Sequence, residues 1–247
     1  MPKIGDDLES IQTPTGYQFS AIRADEVESS EITLVTLVVD VSGSVASFKD
    51  ELIACLKTIF ETCNDDKNPR RENLMMRVVT FSEDVEEFHG YKMLSGINSS
   101  EYTNAVQIRG MTALYDGSHT TIESALTYAK NLVSQGITVN AINFVITDGA
   151  DNASKFNPGT IKNLVEKARQ DEYMESILNI LIGVNTADAG ISSYLKKYKE
   201  DAEFDQFVEI DHADKKTLLS LAAFVSQSIS SQSQSLGSGG PSQLLTF

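Results

Sequence analysis

The stretch Thr33-Leu-Val-Thr-Leu-Val-Val-Asp40 is β-branched or apolar at almost every position and ends in an acid. A strand wet on one face alternates polar with apolar residues; one that does not alternate is covered on both faces, the condition of a strand inside a parallel sheet. Val139-Asn-Ala-Ile-Asn-Phe-Val-Ile-Thr147 and Ile177-Leu-Asn-Ile-Leu-Ile-Gly-Val184 also read as strands, as do Leu74 to Phe81 and Phe204 to Ile210. Between them the period changes to that of helices. Phe48, Leu52, Cys55, Leu56, Ile59, Phe60 and Cys63 form one stripe, Ile122, Ala125, Leu126, Ala129, Leu132 and Val133 a second, Ile161, Leu164, Val165 and Ala168 a third. A short helix over Ile191 to Tyr198 and a last one over Lys215 to Ile229 complete the series. Strands alternating with helices predict an α/β fold, a doubly wound, mostly parallel sheet of six strands with helices on both faces. One strand, Val85 to Tyr91, follows its predecessor by three residues, too few for a parallel crossover, and is expected as one antiparallel edge strand.

Residues 1–31 carry seven acids and two bases and form an acidic extension in which Tyr17 to Ile22 alternates well enough for one added edge strand. Residues 32–228 make the domain. Residues 229–247 contain no charged side chain, are rich in Ser, Gln and Gly, and read as a flexible tail. Its final Leu244-Leu-Thr-Phe247 is apolar, which leaves plain disorder or a docking peptide as readings.

The formal charge of −15 argues against nucleic-acid binding, which needs clustered Lys and Arg. No apolar run reaches membrane-spanning length, and the first residues lack the basic start and apolar core of a signal peptide. Cys55 and Cys63 stand eight positions apart on one helix, about 12 Å, beyond the roughly 7 Å a disulfide allows. Reduced, core-facing thiols fit a cytoplasmic protein.

In doubly wound sheets the functional site lies at the carboxyl ends of the strands. There the chain places Asp40-Val-Ser42-Gly-Ser44 after the first strong strand, Arg109-Gly110-Met-Thr112 before a helix, and Thr147-Asp148-Gly149 after Val139 to Thr147. Two acids and three hydroxyls gather at one edge. Hard oxygen donors of this kind suit Mg²⁺. With Ser42, Ser44 and Thr112 as direct ligands and Asp40 and Asp148 behind waters, the ion would keep an open, electrophilic position for a partner's carboxylate.

This set, Asp-x-Ser-x-Ser, a Gly-x-Thr and Thr-Asp-Gly in that order, resembles the metal-ion-dependent adhesion site (MIDAS) of von Willebrand factor A (VWA) domains, and residues 32–228 resemble that family strand for strand. The resemblance implies a Rossmann-like sheet and a divalent cation, usually Mg²⁺, with Mn²⁺ or Ca²⁺ also tolerated. Ser42 and Ser44 would ligate directly, Thr112 directly or through water, and Asp40 and Asp148 mainly through waters. The remaining position would take an Asp or Glu of a partner protein. Within the family the chain is similar to stand-alone cytoplasmic bacterial or phage members, which serve as adaptors for AAA+ ATPases or stress-response assemblies. A structural subunit of a multimeric assembly, with this domain as scaffold, is the alternative.

Blander readings accompany these. Asp40, Ser42 and Ser44 also fit a polar helix start with Ser44 as N-cap. A phosphatase would want an acid where Ser42 stands, and a serine hydrolase needs a base near its nucleophile; neither those nor a Walker A, GxGxxG or HExxH motif is present, so no enzyme is expected. His119 reads as a packing or capping residue, Asp151 and Asn152 as residues that shape their loop, and Asp116 as an anchor for the Thr112 loop.

Overall fold

The computed structural model describes residues 8–171, 173–236 and 242–247. Its centre is β3 (Glu31–Asp40), which pairs in parallel with β4 (Leu74–Phe81) on one side and β6 (Thr138–Thr147) on the other. Beyond β6 come β7 (Ile177–Val184) and β8 (Gln206–Ile210), both parallel. Nine of the ten residues of β3 are buried, as a strand without alternation requires. The pleat still sorts them. Val35, Leu37 and Val39 face the core under α1 (Lys49–Cys63) and α5 (Lys215–Ser235). Leu34 and Val38 face the opposite core, under α2 (Leu114–Ser134), α3 (Pro158–Gln170) and α4 (Ala189–Asp201). The doubly wound, mostly parallel sheet with helices on both faces is therefore present. Because β4 and β6 flank β3 on opposite sides, the strand order reverses there, and a crevice opens at the carboxyl ends of β3 and β6.

The sheet has eight strands rather than the expected six, in the order β1-β2-β5-β4-β3-β6-β7-β8. β5 (Val85–Met93) runs antiparallel to β4, as the short connection dictates, but it is not an edge. β2 (Gln18–Ile22) lies on its other side, and β1 (Leu8–Gln12) forms a hairpin with β2. A single residue pair, Ala21 with Tyr91, registers β2 against β5. The contact is close because position 90 is glycine: a Cβ there would stand 2.0 Å from the Ser20 carbonyl oxygen. Side chains complete the attachment. The fully buried Arg77 of β4 donates to Glu87 at 2.7 Å and to the Tyr17 hydroxyl at 3.2 Å, while Glu87 accepts from the Ser20 backbone N–H and hydroxyl at 2.9 and 2.6 Å. At the hairpin turn Thr15 donates through its backbone N–H, at 3.2 Å, and its hydroxyl to the buried Glu123 of α2.

At the other end of the chain, α5 continues to Ser235, six residues past the expected start of the tail. Composition misleads here because Gln232 is buried: it donates to the Ala141 carbonyl and the Ser176 hydroxyl, and its own carbonyl accepts from Asn140 at 2.7 Å. Residues 1–7 of the acidic extension and 237–241 of the expected tail lie outside the described residues. The apolar segment after them is seated on the domain. Gln206 donates to the Leu245 carbonyl at 2.8 Å, and the Phe247 ring meets Phe224 of α5 edge-on at 5.7 Å. Cys55 and Cys63 are buried and unbridged, and burial pushes both thiols up to about 12.

Candidate metal centre

Asp40 closes β3 with 1% of its surface exposed. Its Oδ1 accepts from the Ser42 backbone N–H at 2.8 Å and its Oδ2 from the Thr147 hydroxyl, at the end of β6, at 2.6 Å. The chain then turns into a short 3-10 segment, Gly43–Phe48, ahead of α1. That turn is pinned by the Val41 N–H on the Phe81 carbonyl and the Arg109 N–H on the Val41 carbonyl, at 2.9 and 2.8 Å. Ser44 does not cap the helix: its hydroxyl donates to Asp148 Oδ1 at 2.7 Å and lies 3.2 Å from the Ser42 hydroxyl. Asp40, Ser42, Ser44 and Asp148, called from three separate stretches of sequence together with Thr112, therefore form one connected cluster through Thr147.

Thr112 joins from a third loop. Its backbone is clasped twice by Asn152, the N–H donating to Asn152 Oδ1 at 2.8 Å and the carbonyl accepting from the Asn152 N–H at 2.9 Å. A Cβ on Gly149 would stand 4.0 Å from the Thr112 hydroxyl, so the threonine sits directly beside the Thr147-Asp148-Gly149 loop. The neighbouring loop is fastened to the start of α2. Asp151 and Ser154 accept from the Tyr115 N–H at 3.2 and 3.0 Å, and Asp116 accepts from the N–H groups of Lys155 and Phe156, each at 2.9 Å. Asp116 thus anchors the 153–157 loop, not the Thr112 loop expected of it. His119 is a packing residue, buried and stacked on Phe156.

The electrostatics of the cluster favour a cation. Burial pushes the Asp40 carboxyl up to about 6, against the lowering effect of the Thr147 and Ser42 hydrogen bonds, and the nearby Asp148 pushes it further. Burial raises Asp148 as well, opposed by Ser44. Among the described residues neither carboxylate has an ion-pair partner; the nearest guanidinium on these loops, Arg109, is bound to Glu86. A buried carboxylate, Asp40, and a half-buried one, Asp148, beside three hydroxyls are a donor set of hard oxygens that suits a divalent cation. Among the described residues no group of three His, Cys, Asp or Glu side chains is placed to hold a metal ion; the donors gathered here are carboxylate and hydroxyl oxygens.

Sequence reasoning passed over two residues as positioning groups. Thr147 stands in the Thr-Asp-Gly motif, where its residue type alone does not show that its hydroxyl orients Asp40. Asn152 was assigned to loop shape, and its clasp on Thr112 spans forty positions, which no local signal reveals.

The von Willebrand factor type A domain model matches residues 35–223. The chain belongs to that family. No curated protein sequence matches it. Among solved structures, the VWA fold of this chain is similar to proximal thread matrix protein 1 of the mussel byssus, at 18% identity and a TM-score of 0.52 over 81% of this chain and 46% of that one. It is also similar to the PilB minor pilin of Streptococcus sanguinis (16%, 0.57, 92% and 67%) and to the SpaC pilus adhesin of Lactobacillus rhamnosus GG (13%, 0.59, 93% and 35%). The chain thus spans about half the length of the mussel protein and a third of the adhesin. At such identities the likeness is one of fold. A further structure of the mussel protein has a zinc-occupied MIDAS motif. VWA domains are general protein-interaction modules that typically carry a divalent cation at that motif. Among the described residues no helix is long and apolar enough to cross a membrane.

Proposed function

We propose that this VWA domain is a metal-dependent adaptor, not an enzyme, which docks an Asp or Glu of a partner protein onto a divalent cation. The observation that carries the reading is the pairing of the buried Asp40 and half-buried Asp148, without a basic counter-charge among the described residues, with the hydroxyls of Ser42 and Ser44 and with Thr112 beside them. These five residues would hold the ion: Ser42, Ser44 and Thr112 through hydroxyl oxygens, Asp40 and Asp148 through carboxylates or intervening waters. When bound, the cation supplies a Lewis-acidic position that an outside carboxylate can fill. Neutral hydroxyl ligands leave it more electrophilic than a carboxylate cage would, which favours an anionic sixth ligand. Mg²⁺ suits the small set of hard donors, and Mn²⁺ or Ca²⁺ are the substitutes to compare. The non-enzymatic reading is supported by the chemistry at hand: the hydroxyls of Ser42 and Ser44 hydrogen-bond carboxylate and hydroxyl, and no histidine base engages them among the described residues.

The further reading, a stand-alone cytoplasmic bacterial or phage protein that serves an AAA+ ATPase or a stress-response assembly, rests on the family resemblance and on the two unbridged cysteines. Titration calorimetry with Mg²⁺, paired with affinity capture from native lysate, tests both layers. Wild-type protein is expected to bind Mg²⁺ and capture a partner that EDTA releases. Asp40→Ala and Ser42→Ala are expected to lose both while keeping the wild-type circular dichroism. Capture that survives EDTA and both substitutions would remove the metal from the interface.

A further inference from the structure

The parallel strands all deliver the chain to one edge of the sheet, and that edge is acidic. Besides Asp40 and Asp148, the connections that leave β4, β6, β7 and β8 carry Glu83, Asp84, Asp151, Asp188, Asp211 and Asp214. The bases on those connections and on the 105–113 loop are Lys155 and Arg109, and Arg109 is already bonded to Glu86. Glu83 is charged at neutral pH, because its own backbone N–H and that of Met111 hold its carboxyl below the ordinary carboxylate range. A divalent ion would offset Asp40 and Asp148 and leave the remaining acids to set the field of the rim. Two further features stand beside the centre. Met111, next to Thr112, is 47% exposed, one of four large hydrophobic side chains exposed among the described residues. A cleft of about 660 Å³ opens between β5 and the 101–109 stretch, with Val41, the residue between Asp40 and Ser42, in its wall. Phe88 gives the cleft an apolar side, and Asp84, Glu86 and Glu101 line it with carboxylates. Its cations are Lys92 and the Arg109 that Glu86 holds, while Asp84 and Glu101 have no ion-pair partner among the described residues.

We propose, resting on the metal-docking reading above, that the partner segment is basic: a single Asp or Glu flanked by Lys or Arg, one of which enters the cleft of Asp84 and Glu101, with an apolar residue set against Met111. Charge selects that occupant. An acid-rich segment would carry its carboxylate to the ion through a field of its own sign, whereas a basic one is drawn in and places its one acid where the ion compensates it. The rim acids thereby add a repulsive element, turning away carboxylate-rich surfaces that the ion by itself would accept. The cleft matches the shape of a basic side chain as well as its charge. The stem of a Lys or Arg is apolar and lies along Phe88 and Val41, and its charged head reaches the carboxylates at Asp84 and Glu101.

Fluorescence anisotropy of the full chain in Mg²⁺ with labelled synthetic peptides tests this. Each probe carries one central Asp beside a Leu, flanked by Lys, by Ser or by Glu, and a control is Lys-flanked with Asn in place of the Asp. The Lys-flanked probe is expected to bind at least about tenfold more tightly than the Glu-flanked one at low ionic strength, with the Ser-flanked probe between them and the gap narrowing as salt rises. Asp84→Asn combined with Glu101→Gln is expected to weaken the Lys-flanked probe several-fold while Mg²⁺ affinity in calorimetry stays at the wild-type value. Met111→Ser is expected to weaken every Leu-bearing probe, again with Mg²⁺ affinity unchanged. Binding that EDTA and the Asn control abolish, but that ignores the flanking charge or prefers Glu, overturns this proposal and leaves the docking reading standing. So does wild-type binding of the Lys-flanked probe by the double variant or by Met111→Ser. Binding that survives EDTA and the Asn control, or no binding of any probe, overturns the docking reading and this proposal with it.

Discussion

At the scale of single residues, the loops of the candidate metal centre are held by groups outside the proposed ligand set. Asn152 holds the Thr112 backbone by two hydrogen bonds, one accepted by its side-chain Oδ1 and one donated by its own N–H, and Thr147 holds Asp40 by its hydroxyl. Groups that orient ligands in this way typically cost about 10- to 100-fold in metal affinity when removed. Asn152→Ala is therefore expected to weaken Mg²⁺ binding by at least about tenfold in calorimetry, with no change in circular dichroism. An unchanged affinity would mean that Thr112 is fixed by other contacts. A second residue offers a pH signature away from the metal. Burial holds the His89 imidazole down at about 4, against the raising effect of its hydrogen bond to the Gly90 carbonyl, with Lys92 and Arg77 lowering it further. The folded chain keeps His89 neutral where the unfolded chain, at about 6.5, takes up a proton. Stability from this group is complete above about pH 6.5 and falls as pH drops toward 4, by at most about 3 kcal/mol. Urea denaturation of wild type and His89→Gln at pH 7.5 and pH 5 is expected to show a steeper loss for the wild type.

At the scale of elements, the N-terminal hairpin is the part most dependent on a few side chains. β2 is joined to β5 by one registered residue pair, and Glu87 links Arg77 of β4 to Ser20 of β2. Removing Glu87 leaves a buried guanidinium unpaired, a loss usually worth about 3–5 kcal/mol. Glu87→Gln is expected to destabilise by that order in urea titration. Gly90→Val, which drives a side chain into the Ser20 backbone, is expected to cost about 1–3 kcal/mol and to detach the hairpin. If either variant unfolds at the wild-type denaturant concentration, the hairpin is held some other way. The same elements mark where sequence is legible. β3, β6 and β7 could be read because a strand covered on both faces must be apolar throughout, and the clustering of Asp40, Ser42, Ser44 and Asp148 because they follow the carboxyl ends of β3 and β6. β1 could not: Leu8-Glu-Ser-Ile-Gln12 is half polar, and what secures the hairpin, Glu87 on Ser20 and Glu123 on Thr15, lies 67 and 108 positions away. The last turns of α5 were equally hidden, because Ser and Gln read as linker until Gln232 is seen inside the fold bonded to β6.

At the scale of the whole molecule, a site drawn from three loops ties ion binding to the integrity of the sheet. A ligand that binds the folded chain alone stabilises it by about 2.7 kcal/mol at a hundredfold excess over its Kd. Mg²⁺ at that excess is expected to raise the wild-type melting temperature by several degrees and leave Asp40→Ala unmoved. Equal shifts in the two proteins would place the stabilising ion elsewhere.

The three loops also fix when in the life of the chain the ion can act. Ser44 and Asp148 are 104 positions apart, and their hydroxyl–carboxylate contact exists only after β3 and β6 have paired. Closing so long a loop belongs to the late, non-local part of assembly. On the proposed function a cation at this site would therefore arrive after the rate-limiting step, as a lock on a finished object and not as a seed for it. In stopped-flow experiments Mg²⁺ is expected to leave the refolding rate unchanged and to slow unfolding, the pattern of an interaction absent from the transition state.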